Sequence, residues 1–305
     1  MKPRMARTWR AAWTLAFAIL FAGLPLARVA AAPPMAVQAH PALWTVHGSK
    51  ATLYLLGSIH VLPPQMQWHT PAIDKALDAA DVFVFEIPMD ETQKTAIQAF
   101  VKENGLLPPG MALPSLLNEQ ARKDYRAALN VTHVSPEMLN PMRPWLALLM
   151  LDAGVVTQQH LSAAAGLDRQ VYAVAVKKGA ALRAFETPQQ QLKLLMPEDQ
   201  SLEVQEFDAG LKELLKEKTS PQELIDAWAR GDVKKLDQLM NSGFEDNPKA
   251  EKILFEDRNR AWVTKLESML NENHIFFVTV GAGHLAGPKG VPAMLRREGY
   301  KVDGP

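Results

Sequence analysis

Two hydrophobic runs, one near each end of the chain, lead into the same four-residue pattern: Ala51 to Leu56 into Gly57-Ser58-Ile59-His60, and Ile275 to Val280 into Gly281-Ala282-Gly283-His284. Short apolar runs bounded by turn residues read as buried strands. Gly after such a strand permits a sharp turn. A His three residues on then sits just beyond the strand's carboxyl end, where open α/β sheets place ligands. Two such loops can converge, bringing the two ends of the chain together at one site.

The remaining punctuation is consistent with that frame. Leu43 to Val46 and Ala51 to Leu56 flank His47-Gly48-Ser49-Lys50 and read as a hairpin. Pro71 to Ala80 reads as helix, and Val82 to Ile87 as a buried strand with Glu86 near its carboxyl end. From Asp90 to about Asn271 the pattern is almost wholly helical. Ser115 precedes one predicted helix, Ser220-Pro221-Gln222-Glu223 carries a capping-box signature, and Gly179 ends a helix begun near Leu167. Ala181 to Phe185 is a short candidate strand. A helix from Pro292 to Glu298 and a strand from Tyr300 to Val302 close the chain. The expectation is a mixed α/β (α+β) fold: strands at both chain ends form a core of mixed sheet, and a long helical middle wraps it.

Residues 1–31 contain Lys2, Arg4, Arg7, Arg10 and Arg28 and no acid. The apolar run Ala11 to Leu26 and small residues up to Ala32 follow, which reads as a secretory signal peptide cleaved after Ala31. Residues 32–42 are Pro/Ala-rich and uncharged and read as a linker, leaving residues 43–305 as a single domain. The location expected is periplasmic or secreted, with no stable membrane span after cleavage. Over all 305 residues, 33 Lys+Arg balance 33 Asp+Glu, which argues against a nucleic-acid binder held by phosphate contacts. There is no Cys, hence neither disulfide nor thiolate chemistry. An exported chain also meets little nucleotide. The Gly-rich segment Val280 to Gly287 imitates a dinucleotide fingerprint, but Pro288 and Gly290 fall where the phosphate-binding helix should start.

Imidazole is the commonest metal ligand, and His60, His284 and Glu86 make a two-His, one-carboxylate set. A strand-end His also often just bonds its own loop, so spacing leaves both readings open. Arg258-Asn259 lies in a charged helical stretch whose plain reading is a solvated face; Asp168 can be a first-turn helix acid, and Thr187 a cap before Pro188. His40, His47, His69, His133, His160 and His274 lack a repeated context and read as surface or loop residues.

Taken in order, several motifs resemble the TraB/GumN family, which includes the Tiki proteins and the pheromone-shutdown protein PrgY. They are Tyr54 to Val61, Val84-Phe85-Glu86, Pro144-Trp145, Gly166-Leu167-Asp168, Phe185-Glu186-Thr187 with Gln191-Leu192, Trp228 with Gly231-Asp232, Arg258-Asn259, and Val280 to Leu285 with Gly299 to Val302. Ser58 and Leu167 are mild departures from the family's usual Thr and Ile. The resemblance implies paired sheets flanked by helices, kinship with erythromycin-esterase and ChaN-type proteins, and metal-dependent peptidase activity of the Tiki kind. It implies an active-site set of His60, Glu86 and His284, with Arg258 as helper. Gly57, Gly281, Asp168, Glu186 and Asn259 are the supporting residues.

The function expected is therefore an exported metal-dependent hydrolase, most plainly a peptidase. His60 and His284 would hold a divalent ion (Mn or Co, with Zn an alternative), and Glu86 would act as third ligand or as general base. Arg258 would stabilise an oxyanion or bind a substrate carboxylate. The partner expected is a peptide or protein substrate, with no nucleic acid and no nucleotide. The alternative is a non-catalytic protein of the same fold that sequesters a peptide signal.

Overall fold

Six strands form one sheet: β1 (Leu43–His47), β2 (Thr52–Ser58), β3 (Val82–Phe85), β4 (Ala181–Ala184), β5 (Ile275–Gly281) and β6 (Lys301–Asp303), in the order β4-β3-β5-β2-β1-β6. The computed structural model describes residues 38–197, 199–216, 221–242, 244 and 248–305. The expected signal peptide and its cleavage point, most of the 32–42 linker and Ser220 of the capping box lie outside the described residues.

The pairing explains the sequence pattern. β2, β5, β3 and β4 are mutually parallel; β2, β3 and β5 lie inside the sheet and are mostly buried, which fits their nearly unbroken apolar runs, whereas the edge strand β4 is partly exposed. β1 and β6 are antiparallel additions on one side, and β1 is joined to β2 by the expected hairpin. The described residues thus form a single sheet, where the resemblance implied paired sheets. β5, from the far end of the chain, inserts between β2, which it pairs along its whole length, and β3, which it pairs over Phe276–Thr279.

Side chains alternate between the two faces. Leu56, Phe83, Phe85 and Phe277 meet helices α1 (Pro71–Ala79) and α5 (Leu167–Lys178) through Ile73, Leu77, Leu167 and Val171. α8 (Pro221–Ala229) joins the same face through Ile225 and Trp228. On the other face Leu53, Leu55, Phe276 and Val278 meet α10 (Asp257–Met269) and α11 (Val291–Arg297).

The helical middle does more than wrap this sheet. α2 (Glu91–Asn104), α3 (Glu119–Thr132), α4 (Pro144–Gln158), α6 (Pro188–Leu194), α7 (Gln200–Leu215) and α9 (Val233–Ser242) complete it. α3, α4 and α7 bury Tyr125, Ala147, Leu151, Phe207 and Leu211 against one another in a core of their own. Ser115 lies inside a single helical turn, Leu113–Leu116, and the cap of α3 is Asn118, whose side chain accepts from Ala121 N. Thr187 and Gln190 form a capping box at α6.

The Pro144-Trp145 motif is explained by a buried charge. Glu203, on α7, is 1% exposed; its Oε2 accepts from Arg143 Nη2 at 2.9 Å and its Oε1 from Trp145 N at 3.2 Å. One carboxylate thus pairs Arg143 and caps the first turn of α4. Glu203→Ala strands both donors and is expected to cost about 2–3 kcal/mol in urea unfolding, discounted because Arg143 keeps some solvent. Glu203→Gln, which retains an acceptor, is expected to cost less; equal stability of wild type and Glu203→Ala would refute the assignment.

Candidate active site

Each of the four parallel strands delivers one residue just past its carboxyl end: His60 after β2, Glu86 after β3, Glu186 after β4 and His284 after β5. The two Gly-x-x-His loops touch. A Cβ on Gly57 would stand 2.9 Å from Ala282 Cα, so only Gly permits that approach. Trp228 Nε1 donates to Gly57 O at 2.7 Å, which accounts for the Trp228 motif. A Cβ on Gly281 would lie 3.2 Å from Glu86 Oε1, 3.6 Å from His284 Cδ2 and 3.8 Å from His60 Nε2. The missing side chain leaves room at the point where the three expected residues meet.

Arg258 holds this cluster together. Its Nε donates to Glu186 Oε1 at 2.7 Å, and Nη2 donates to Glu186 Oε2 at 2.9 Å and to Glu86 Oε2 at 2.7 Å. Nη1 donates to Leu254 O and to His284 Nε2, both at 3.1 Å. A guanidinium has five N–H donors, and all five are used. Arg258 is therefore a positioning residue here, with no donor left for a substrate oxyanion or carboxylate. Its surroundings overturn the solvated-face reading of the helix: Arg258 and Asn259 are buried, while Asp257 and Arg260 face out.

The histidines differ. His284 Nδ1 lies 2.6 Å from Asn259 Oδ1, and Asn259 Nδ2 donates to Lys289 O, so the amide oxygen is an acceptor and the His284 proton sits on Nδ1. Nε2 then accepts from Arg258. The ring lies between Trp262 (4.3 Å between centroids) and Phe255 (4.7 Å). Burial and then the Arg258 charge push its pKa down to about 3, so it is a neutral imidazole. His60 Nδ1 is 3.2 Å from Asp168 Oδ1, a charge contact whose alignment falls short of a hydrogen bond, and His60 Nε2 has no partner among the described residues. Burial lowers the His60 pKa, but Asp168 and then Glu86 outweigh it and the net shift is upward. Asp168 sits in the first turn of α5. Burial raises the Glu86 pKa, yet Arg258 foremost and the Gly281 N–H at 2.7 Å bring it down to about 2.

Three participants escaped the sequence reading as site residues. Gln191 Nε2 donates to both Glu86 Oε2 (2.8 Å) and Glu186 Oε2 (3.1 Å); its signal was the family motif Gln191-Leu192, to which no role was given. Trp262, one turn after Arg258, donates from Nε1 to Glu186 Oε1 at 2.9 Å. Phe255 belongs to a π-helical turn, Lys252–Glu256, that leads directly into α10. Such turns recur at functional sites.

The implied divalent ion can be tested against these donors. Glu86 Oε2 already accepts from Arg258 and Gln191, and Oε1 from Gly281 N–H. The single acceptor lone pair of His284 Nε2 takes the Arg258 proton. Glu86 Oε1 and His284 Nε2 are 4.0 Å apart, which at bond lengths of about 2.0–2.2 Å would set them wider than a tetrahedral angle across an ion. Among the described residues no group of three His, Asp or Glu has metal-holding geometry. The set as arranged does not fit a metal ion; the cation between Glu86 and His284 is Arg258. The other six histidines are exposed or partly so, as expected.

The pKa directions predict how stability varies with pH. His284 stays neutral when folded, so stability is lost as pH falls below 6.5, the unfolded value, toward 3; Glu86 adds a loss from 4.5 toward 2. His60 acts oppositely, its contribution being complete below 6.5 and lost as pH rises through its raised folded value. Urea melts are expected to show about 2 kcal/mol less stability at pH 5 than at pH 6.5 from His284 alone. His284→Gln is expected to flatten that limb; an unchanged limb would show that His284 titrates normally.

A model of the TraB/PrgY/gumN family matches residues 42–304. Neither the curated proteins nor the solved structures searched gave a match.

Proposed function

The chain belongs to the TraB/PrgY/gumN family, and from that membership and the geometry above we propose that it is an exported hydrolase of peptides or proteins. The observation that carries the reading is His60: a buried imidazole with Asp168 behind Nδ1 and an unpartnered Nε2 facing the space left by Gly281. The Asp168 charge facing Nδ1 favours a proton on that nitrogen, so that Nε2 takes the proton of a water placed there, and Asp168 and Glu86 together stabilise the imidazolium that results. Glu86 is poorly suited to be the base. A carboxylate with a pKa of about 2 that already accepts three hydrogen bonds has little affinity for a proton at neutral pH, whereas the His60 imidazole, shifted upward by Asp168 and Glu86, is the stronger base. Glu86 serves as a fixed anion. His284 is held neutral and oriented by Asn259 and Arg258. No step is assigned to a divalent ion, because Glu86 and His284 already serve Arg258.

One observation favours the alternative, a peptide-sequestering protein without turnover: His60, Glu86 and His284 are at most 7% exposed, so a peptide backbone reaches them only after a rearrangement.

The test is incubation of the purified protein with a mixed peptide library, read by mass spectrometry, with EDTA or added Mn, Co and Zn. Cleavage is expected to survive EDTA and to rise with pH through a value above 6.5. His60→Ala is expected to lose about 10²–10⁴-fold in rate, and Asp168→Asn to lower the pH at which activity appears. Cleavage lost in EDTA and restored by one of the metals would overturn the metal-free assignment. Peptides bound but recovered intact would support sequestration.

A further inference from the structure

Six buried side-chain atoms near the carboxyl ends of β2 and β5 have no hydrogen-bond partner among the described residues: Ser58 Oγ, Thr279 Oγ1, both carboxylate oxygens of Asp168 and both ring nitrogens of His60. Folded interiors leave few such atoms, and each calls for a partner. The mechanism above uses His60 and Asp168 but gives Ser58 and Thr279 no part.

The topology puts these side chains on one side of the sheet. Ser58 continues the alternation of Tyr54 and Leu56 along β2, and Thr279 that of Ile275 and Phe277 along β5, on the face that α5 covers. The register sets Leu56 opposite Thr279 and Ser58 opposite Gly281, so the two hydroxyls are diagonal neighbours. Asp168 shares a stripe of α5 with Val171 and Ala175, which pack on that same face. Leu167 N donates to Ile59 O at 3.1 Å, which seats the first turn of α5 beside the end of β2. A Cβ on Gly166 would collide with His60 O, so glycine permits the approach. Four polar residues, each 3% exposed or less, thus interrupt an apolar helix–sheet contact.

An unpaired carboxylate or hydroxyl in such a contact is costly. The Asp168 carboxylate only accepts, whereas the two hydroxyls donate. Water links them: its oxygen accepts from Ser58 and Thr279, and its hydrogen goes to Asp168. About three hydrogen bonds is the usual complement of a buried water. A cation in its place would leave both hydroxyl protons without an acceptor.

We propose that Ser58 and Thr279 are positioning residues for His60, acting through buried water that they share with Asp168; the proposal rests on the hydrolase reading above. The water donates to Asp168 Oδ2 and leaves Oδ1, the oxygen 3.2 Å from His60 Nδ1, to face the imidazole. The proton of the neutral ring then stays on Nδ1, and Nε2 stays open as the acceptor.

The test pairs a high-resolution crystal structure of the wild type with NMR of ¹⁵N-histidine-labelled protein, the His60 signals being identified by their loss in His60→Ala. Ordered water bonded to Asp168 and both hydroxyls is expected, with the His60 proton on Nδ1. Ser58→Ala with Thr279→Val, which removes both hydroxyls at nearly constant shape, is expected to mix the His60 tautomers and to lower kcat on a cleaved peptide about tenfold at unchanged KM. Ser58→Thr is expected to keep the wild-type signals and rate. Should the double variant not fold, Ser58→Ala alone serves. A cation or direct hydroxyl–carboxylate bonds where the water is expected, or wild-type His60 signals in the variant lacking the hydroxyls, overturn the proposal. Cleavage that persists at the wild-type rate in that variant overturns it and leaves the hydrolase standing. Ordered water and a variant-dependent tautomer in a protein that cuts no peptide do the reverse.

Discussion

A buried guanidinium whose every donor is used sets the geometry of this protein. Taking Arg258 and two carboxylates out of water is costly, and only a near-complete set of charge-assisted hydrogen bonds offsets it. The planar fork makes that possible: one edge grips Glu186, the other reaches Glu86, and the remaining nitrogen spans Leu254 O and His284. Lysine, a point charge with three donors, cannot reproduce the pattern. Through this one side chain β3, β4, β5 and α10 are fastened at the sheet's carboxyl edge, and His284 is held as a neutral ring.

The topology explains why such a cluster arises there. Parallel strands point all their carboxyl ends the same way, so residues from distant parts of the chain come together without any local motif. β5 inserts centrally although it is nearly the last strand made, so β2 and β3 become neighbours of one another's site only when it docks. The Gly57–Ala282 contact, too close for any added Cβ, brings the two Gly-x-x-His loops together in that docking.

Much of this was legible in the sequence. The strands, the hairpin and the two Gly-x-x-His loops follow from apolar runs ended by Gly, a local signal, and Glu86 is marked by its place at the end of such a run. What long-range docking decides was not legible. Asp168 reads as an ordinary first-turn acid, and becomes the partner of His60 only because α5 packs against the first loop, with Leu167 N donating to Ile59 O. Arg258 and the exposed Arg260 lie in one charged helical stretch, and only the family resemblance separates them; the direction each faces depends on the helix's seat on the sheet. Gln191 is marked only by its place in the family motif and Trp262 carries no signature, since a buried amide and a core tryptophan are usually structural. The metal set was inferred from residue types, which cannot reveal that an arginine is threaded between two of the expected ligands.

The π-helical turn Lys252–Glu256 has a developmental meaning of its own. A π turn amounts to one residue more than an α-helix accommodates, and each residue of an α-helix turns the chain by about 100°. Arg258, Asn259 and Trp262 all lie downstream of it and owe their inward facing to that surplus residue. The segment behaves as a phase shifter: shortening it by one position would leave every side chain of the site present in the polypeptide yet rotated off the sheet edge. For a lineage carrying this fold, substitutions around the site can be sampled gradually, whereas the reading phase of this helix is inherited as a unit.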